Sequence, residues 1–365
     1  MGQLDGRVAI VTGAGAGLGR EHALLMAAEG ASIVVNDLRG AQQVADEIVA
    51  AGGSAIAVEG SIAEMAVGEK LTDAAVSTFG NLHSVVNNAG IIRDAMLWNM
   101  TEEEFDSVIA VHLKGTFSAT RAAVRYWRDQ SKAGVQETRN LVNTSSGSGL
   151  HGNYGQWNYS AAKAGLAIQA VNAAREFERF GVKANAIAPV ARTEPVKATP
   201  GIKDLVGEPV DESVFDRYNP ANCSSLVAYL SSAECAFNGQ VFAVYGGYVG
   251  LYGGYSIADE IREDRQLDIG ELTKLLATTP SSSRSRPGAP ASRRSKEKPS
   301  ELHVSARLQQ GPGIRPGREG KPRTACRRGC GDPADHAHQR PNDLGARRPI
   351  RFRQARIRPS SHPPR

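Results

Sequence analysis

Residues 8–25 read VAIVTGAGAGLGREHALL, and this stretch decides the fold. VAIVT is a run of small and β-branched apolar residues, the composition of a buried strand. GAGAGLG cannot continue that strand, and REHALL opens a helical pattern. A strand running through a glycine turn straight into a helix gathers backbone N–H groups and the positive end of a helix dipole at one point. Gly13, Gly17 and Gly19 are the residues that would receive a pyrophosphate there. A bare glycine turn needs glycine only for its torsions; the strand before it and the helix after it carry the dinucleotide reading.

The same alternation continues outward. VAIVTG (8–13), SIVVND (32–37), SAIAVEG (54–60), HSVVNNAG (83–90), RNLVNTSS (139–146), VKANAIAP (182–189) and QVFAVYGG (240–247) read as strands. Between them stand LGREHALLMAAEG, AQQVADEIVAAGG, EMAVGEKLTDAAVSTFG, TEEEFDSVIAVHLKGTFSATRAAVRYW and NYSAAKAGLAIQAVNAAREFERFG, all of helix length and several closing on Gly. Near-continuous apolar strands alternating with helices predict an α/β domain with a doubly wound parallel sheet of Rossmann type, covered on both faces.

Asp37 closes the second strand, 18 residues after Gly19. A carboxylate at that position bonds ribose hydroxyls and repels a 2′-phosphate. Ala16 gives the loop no positive charge, and Arg39 is the one contrary residue. The cofactor expected on these grounds is NAD rather than NADP.

Residues 158–166, NYSAAKAGL, put Tyr159 and Lys163 on one helix face. When a hydride leaves a carbinol carbon, the hydroxyl proton must leave as well. A tyrosine can take it if its pKa, ordinarily about 10, is brought towards neutrality by a nearby ammonium. A depression of about 3 units corresponds to about 4 kcal/mol. Ser146 lies 13 residues before Tyr159 at the end of a strand, at the carboxyl edge where ligands sit in such sheets, and would hold the substrate oxygen.

TGAGAGLG, NNAG, SSGSGLHGNYGQWNYSAAK and IAP, in that order, resemble the short-chain dehydrogenase/reductase family over about residues 5–250. The resemblance implies sheet order 3-2-1-4-5-6-7, a homotetramer or dimer, and interconversion of a secondary alcohol and a ketone. It makes Tyr159 the proton donor and acceptor, Lys163 its activator and ribose ligand, and Ser146 the carbonyl-positioning hydroxyl. Gly13, Gly17 and Gly19 would meet the pyrophosphate, Asp37 the adenosine ribose, and Asn88, Ala89 and Gly90 the middle of the cofactor. Ser61 stands where the family commonly has Asp at the adenine, and Thr193 offers a hydroxyl to the cofactor. Leu18, Leu38, Ile62, Pro189 and Ala191 complete the candidate cofactor set.

Some departures carry information. His112, in AVHLKGTF, occupies a position where the family often has the asparagine of a water relay to the lysine, and joins the catalytic candidates. Histidine there, with GAGAGLGR, VVND and GNYGQWNYSAAK, resembles the dehydrogenase unit of the peroxisomal multifunctional type. That unit handles 3-hydroxyacyl-CoA and 17β-hydroxysteroids, so the expected substrate is one of these or a related lipid-like alcohol. The long insertion that unit carries after the NDL segment is missing. Pro189-Val190 replaces the common Pro-Gly, and residues 193–217 fall where the family keeps its substrate lid.

Of 365 residues, 41% are hydrophobic, enough for a sizeable core. Charge is unevenly spread: residues 1–279 carry 22 Lys+Arg against 32 Asp+Glu, and residues 280–365 carry 21 against 6. The tail also holds 13 of the 18 prolines and one aromatic, Phe352, with no sustained period. The expected organisation is a catalytic domain at 1–255, a helical extension at 256–279 and a disordered basic tail at 280–365 with the composition of out-of-frame sequence. Basic charge alone would attract nucleic acid, but one aromatic and no binding fold argue against it. Cys326, Cys330, His336 and His338 lie at the edge of zinc spacings with no element to hold them, so no metal is expected. A non-catalytic NAD-binding regulator is the remaining alternative, opposed by the intact Ser146, Tyr159 and Lys163. Four scattered cysteines, no leader-like start and no apolar run of about 18 residues predict a soluble, cytoplasmic protein.

Overall fold

The structure, a computed structural model, describes residues 2–193, 196, 206–209, 211, 213–254 and 266–278. The tail from Pro280, parts of the 193–217 segment and most of the 256–268 stretch lie outside the described residues.

The chain opens with β1 (Val8–Thr12), α1 (Gly17–Ala28), β2 (Ser32–Asp37), α2 (Ala41–Ala50), β3 (Ser54–Glu59), α3 (Met65–Phe79) and β4 (Ser84–Asn87). It continues through α4 (Glu102–Ile109), α5 (Gly115–Lys132), β5 (Arg139–Thr144), α6 (Gly147–His151), α7 (Trp157–Phe177) and β6 (Val182–Pro189). After helix Ser224–Leu230 come β7 (Val241–Tyr245), β8 (Tyr248–Leu251) and helix Ile269–Thr278. Among the described residues the strands form one sheet, in the order β3-β2-β1-β4-β5-β6-β7-β8. The first seven follow the expected order and pair in parallel. β8 adds an antiparallel edge strand, Phe242 opposite Leu251, that the sequence pattern did not announce. Its Tyr248, Val249 and Leu251 are exposed, so no buried face imposes an alternation.

Strand alternation sends successive side chains to opposite faces. Ala9 and Val11 join Ile33, Val35 and Met26 in one core, beneath α1 and α2. Val8 and Ile10 join Val34, Leu71 and Trp127 in the other, beneath α3 and α5. Each fully buried aliphatic side chain of this kind contributes about 1.5–3 kcal/mol. Parallel pairing aligns all the β-strand carboxyl ends except that of β8, and the loops beyond those ends form one edge.

Two local features prepare that edge. Helix α1 has Ala16 at its N-cap and no side-chain cap, so its first-turn N–H groups are not claimed by a serine or aspartate. By contrast α4 is closed by a capping box, in which Thr101 and Glu104 satisfy each other's backbone N–H groups. The single helix expected over 101–127 is interrupted: Ala110–Lys114 forms a π-helical turn between α4 and α5. Such turns hold one residue more than an α turn and re-aim the helix beyond them. Here the turn carries His112.

Candidate active site

A cleft of about 480 Å³ opens at the carboxyl edge of β1, β2, β4, β5 and β6. The glycine loop, Asp37, the Asn88–Gly90 turn, Ser146, Tyr159, Lys163, His112 and Thr193 all line it. Leu18, Leu38, Ser61, Ile62, Pro189 and Ala191 line it too, so nearly every residue nominated from the sequence meets here. Gly19, the exception, packs behind the loop: a Cβ on it would strike the Gly13 carbonyl and the Asn88 amide.

The loop is braced from β4. Thr12 Oγ1 accepts from the N–H groups of Asn88 and Ala89, each at 3.1 Å. Asn88 Nδ2 donates to the Thr12 and Gly13 carbonyls at 3.2 and 3.0 Å, so its side chain holds the loop itself. Gly13 has φ +63°, and a Cβ there would stand 2.5 Å from Ala89 Cα. Asp37 accepts from Gly15 N at 2.9 Å and from Leu38 N at 2.7 Å. Gly15 escaped the sequence nomination, although it is the second of the four glycines of GAGAGLG. An uncapped helix start, a close-approach loop and a carboxylate at the end of β2 fit an adenine dinucleotide.

Tyr159, Lys163 and His112 converge at the inner end. Lys163 Nζ donates to the Thr144 carbonyl at 2.6 Å and lies 5.5 Å from the centroid of the Tyr159 ring. His112 meets the same ring edge to face, with centroids 5.3 Å apart. Its Nε2 lies 2.9 Å from the Ile91 carbonyl oxygen and 3.2 Å from the Ile91 N–H, so the tautomer decides which of the two it bonds, and its Nδ1 is buried with no partner among the described residues. Burial and the Lys163 charge hold His112 down to about 3, so the ring is neutral. Ser146 caps α6, accepting from Ser148 N at 3.2 Å, and its hydroxyl also hydrogen-bonds to the Tyr159 phenol.

One expectation needs correction. Burial pushes the Tyr159 phenol up to about 12, opposed by hydrogen bonding from Ser146 and reinforced by the Asp94 charge. Burial also brings Lys163 down to about 7. The protein's own groups therefore do not depress the phenol. The Lys163 amine is directed at the Thr144 backbone carbonyl, and burial outweighs the hydrogen bond from Ser146.

Uncapped helix start, glycine cradle, acidic residue after β2 and a serine, tyrosine and lysine in one cleft define a nicotinamide-dependent oxidoreductase of the Rossmann type. The family profile described as short chain dehydrogenase matches residues 7–199, and the chain belongs to that family. Hydroxyacyl-CoA dehydrogenase ChsB1 of Mycobacterium tuberculosis is 48% identical over 258 residues, covering 68% of this chain and 80% of that protein. Peroxisomal multifunctional enzyme type 2 of Drosophila melanogaster is 41% identical over 255 residues, 67% of this chain but 40% of that longer protein. The resemblance to the multifunctional dehydrogenase unit is thereby borne out. Among solved structures, a short chain dehydrogenase from Mycobacterium avium superposes with TM-score 0.70 at 45% identity, covering 79% of this chain and 99% of the other. A more distant one, from Burkholderia cenocepacia in complex with NADP, has TM-score 0.59 at 26% identity, covering 67% and 98%. The family thus uses a nicotinamide cofactor.

Proposed function

We propose that this protein is an NAD-dependent dehydrogenase that interconverts the 3-hydroxyl and 3-keto forms of an acyl-CoA or a related lipid-like substrate. The observation that carries this reading is the meeting of Ser146, Tyr159 and Lys163 at the inner end of a cleft whose outer end is a dinucleotide cradle. A bound nicotinamide cofactor supplies the hydride acceptor and a positively charged ring. The Ser146 hydroxyl donates a hydrogen bond to the substrate oxygen, without transferring its proton, and holds that oxygen against Tyr159. In oxidation the Tyr159 oxygen takes the hydroxyl proton; in reduction it returns one. Lys163 orients Tyr159 from over its ring and stands ready to hold the nicotinamide ribose. Asp37 selects a ribose bearing a free 2′-hydroxyl.

The acyl-CoA assignment draws on the names of the relatives, one a hydroxyacyl-CoA dehydrogenase and one a peroxisomal multifunctional enzyme. Catalysis is assigned to residues 1–255, with 256–279 as an extension, and the working form to a dimer or tetramer. Absorbance of reduced nicotinamide, followed over a panel of 3-hydroxyacyl-CoAs, hydroxysteroids and simple secondary alcohols, tests the reading. Turnover confined to the simple alcohols would remove the acyl-CoA assignment, and no turnover with any of them would remove the function.

A further inference from the structure

Gly90 closes the turn after β4, and its φ lies outside the left-handed region, so the backbone alone does not call for glycine there. Space does. A Cβ on Gly90 would stand 2.4 Å from His112 Cε1 and 3.2 Å from each ring nitrogen. The imidazole therefore fills the room that a side chain at position 90 would take. It rides on the π turn Ala110–Lys114 and is 1% exposed. Its Nε2 is within reach of the Ile91 carbonyl oxygen, at 2.9 Å, and of the Ile91 nitrogen, at 3.2 Å. Gly90 and Ile91 together seat the ring.

Tyr159 stands against the seated imidazole. The two rings cross at 85° with centroids 5.3 Å apart, an edge-to-face arrangement that aromatic pairs favour. Tyr159 and Lys163 share α7 and move together. His112 is the ring contact from outside α7, and it ties the phenol to the turn after β4 on the cofactor side of the cleft. Burial keeps the imidazole neutral, and its Nδ1 has no partner among the described residues. What reaches the phenol is the ring itself.

We propose that His112 is a positioning residue that acts by packing: its imidazole, seated in the room left by Gly90, holds the Tyr159 ring at the angle at which the hydroxyl meets the substrate oxygen. Gly90 and His112 work as one unit, and the site requires the ring of the histidine rather than a polar atom on it. This rests on Tyr159 being the acid/base.

Proton–carbon NMR of the full chain with labelled tyrosine rings reads Tyr159 without cofactor or turnover, and Tyr159→Phe identifies its resonances. His112→Asn keeps a polar atom near the Nδ1 position and His112→Gln one near the Nε2 position, and neither carries a ring. Both should move the Tyr159 ring resonances towards those of free tyrosine and lower kcat roughly ten- to hundredfold, the cost of a misplaced reacting group. Gly90→Ala should lower kcat comparably, by pushing the imidazole into the phenol. In the His112→Asn background its cost should shrink at least about threefold, because the atom 2.4 Å away is gone. Should Gly90→Ala fail to fold, the two His112 variants decide alone. Unmoved resonances would overturn the proposal, because the imidazole would not be holding the ring. Turnover within about threefold of wild type in either His112 variant would overturn it too, because a polar atom would suffice. Fully additive losses would overturn the pairing of Gly90 with His112. Turnover surviving in Tyr159→Phe removes the acid/base reading, and the resonances, which report the ring contact alone, tell that failure from the others.

Discussion

The Lys163 ammonium hangs over the face of the Tyr159 ring, 5.5 Å from its centroid, while its hydrogen bond goes to the Thr144 carbonyl at 2.6 Å. The two residues are thus rigidly related, but the lysine acts on the phenol through space. Tyr159→Phe removes one hydroxyl and should keep the fold and cofactor affinity while lowering turnover by ~10²–10⁴. In the wild type the oxidation rate should climb with pH throughout the accessible range, since the phenol starts from about 12. Steady-state rates across pH check both statements; near-normal kcat for Tyr159→Phe would end this assignment.

Burial brings Lys163 from 10.5 to about 7, so the folded protein loses this proton near neutrality whereas the unfolded chain keeps it to about 10.4. The unfolded state binds more protons between these values, and stability from this group rises with pH across that window. Below pH 7 the wild type therefore bears the full cost of a buried charge. Lys163→Met should be more stable than wild type at pH 6, by roughly 1–3 kcal/mol after the Thr144 carbonyl loses its donor, and the gain should fade towards pH 10. Denaturant unfolding at the two pH values measures it. An unchanged difference would mean that the buried lysine titrates as it does in the unfolded chain, so burial does not depress it.

Asp37 accepts from Gly15 and Leu38 and lines the cleft at the end of β2. NAD should bind more tightly than NADP by at least about tenfold, since a 2′-phosphate would meet a carboxylate. Asp37→Ala should narrow that gap and loosen the loop, because two backbone N–H groups lose their acceptor. Fluorescence titration with both cofactors decides; equal affinities in the wild type would refute the NAD assignment.

A Cβ at Gly15 would run into the Arg39 carbonyl, which is backbone and cannot step aside cheaply. Gly15→Ala should therefore displace the loop and lose most cofactor-induced thermal stabilisation, with a destabilisation of about 1–3 kcal/mol. Thermal shift with and without NAD reads both. Undiminished stabilisation by NAD would show that the loop takes the methyl group without moving.

The sequence is most readable where physical constraint is heaviest. VKANAIAP matched β6 from Val182 to Pro189 because the strand is buried almost throughout and bounded at its start by Gly181. The site was legible for a related reason: cofactor cradles need glycines, and the Tyr159–Lys163 pair needs helical spacing. Helix Ser224–Leu230 went unread because seven residues are too few to display a period. The π turn was hidden because AVHLK has ordinary helical composition. The hydrogen bond from Gln156 to Asp94 spans 62 positions, and nothing in either neighbourhood announces the partner.

The π turn at Ala110–Lys114 has a consequence for how this protein can vary in length. α4 packs against α7, and α5 packs against α3, with Trp127 of α5 buried and donating to the Leu82 carbonyl at 2.7 Å. Deleting one residue in the turn would let a regular helix run unbroken, with backbone hydrogen bonding preserved. It would also swing everything beyond it by about 100° relative to everything before. Either the catalytic wall or the wall behind the sheet would then face the wrong way, and such a deletion should leave helical circular dichroism near normal while thermal stability collapses. The extra residue works as a vernier, setting two packing surfaces in phase, and so fixes the number of residues between them as firmly as any of their identities.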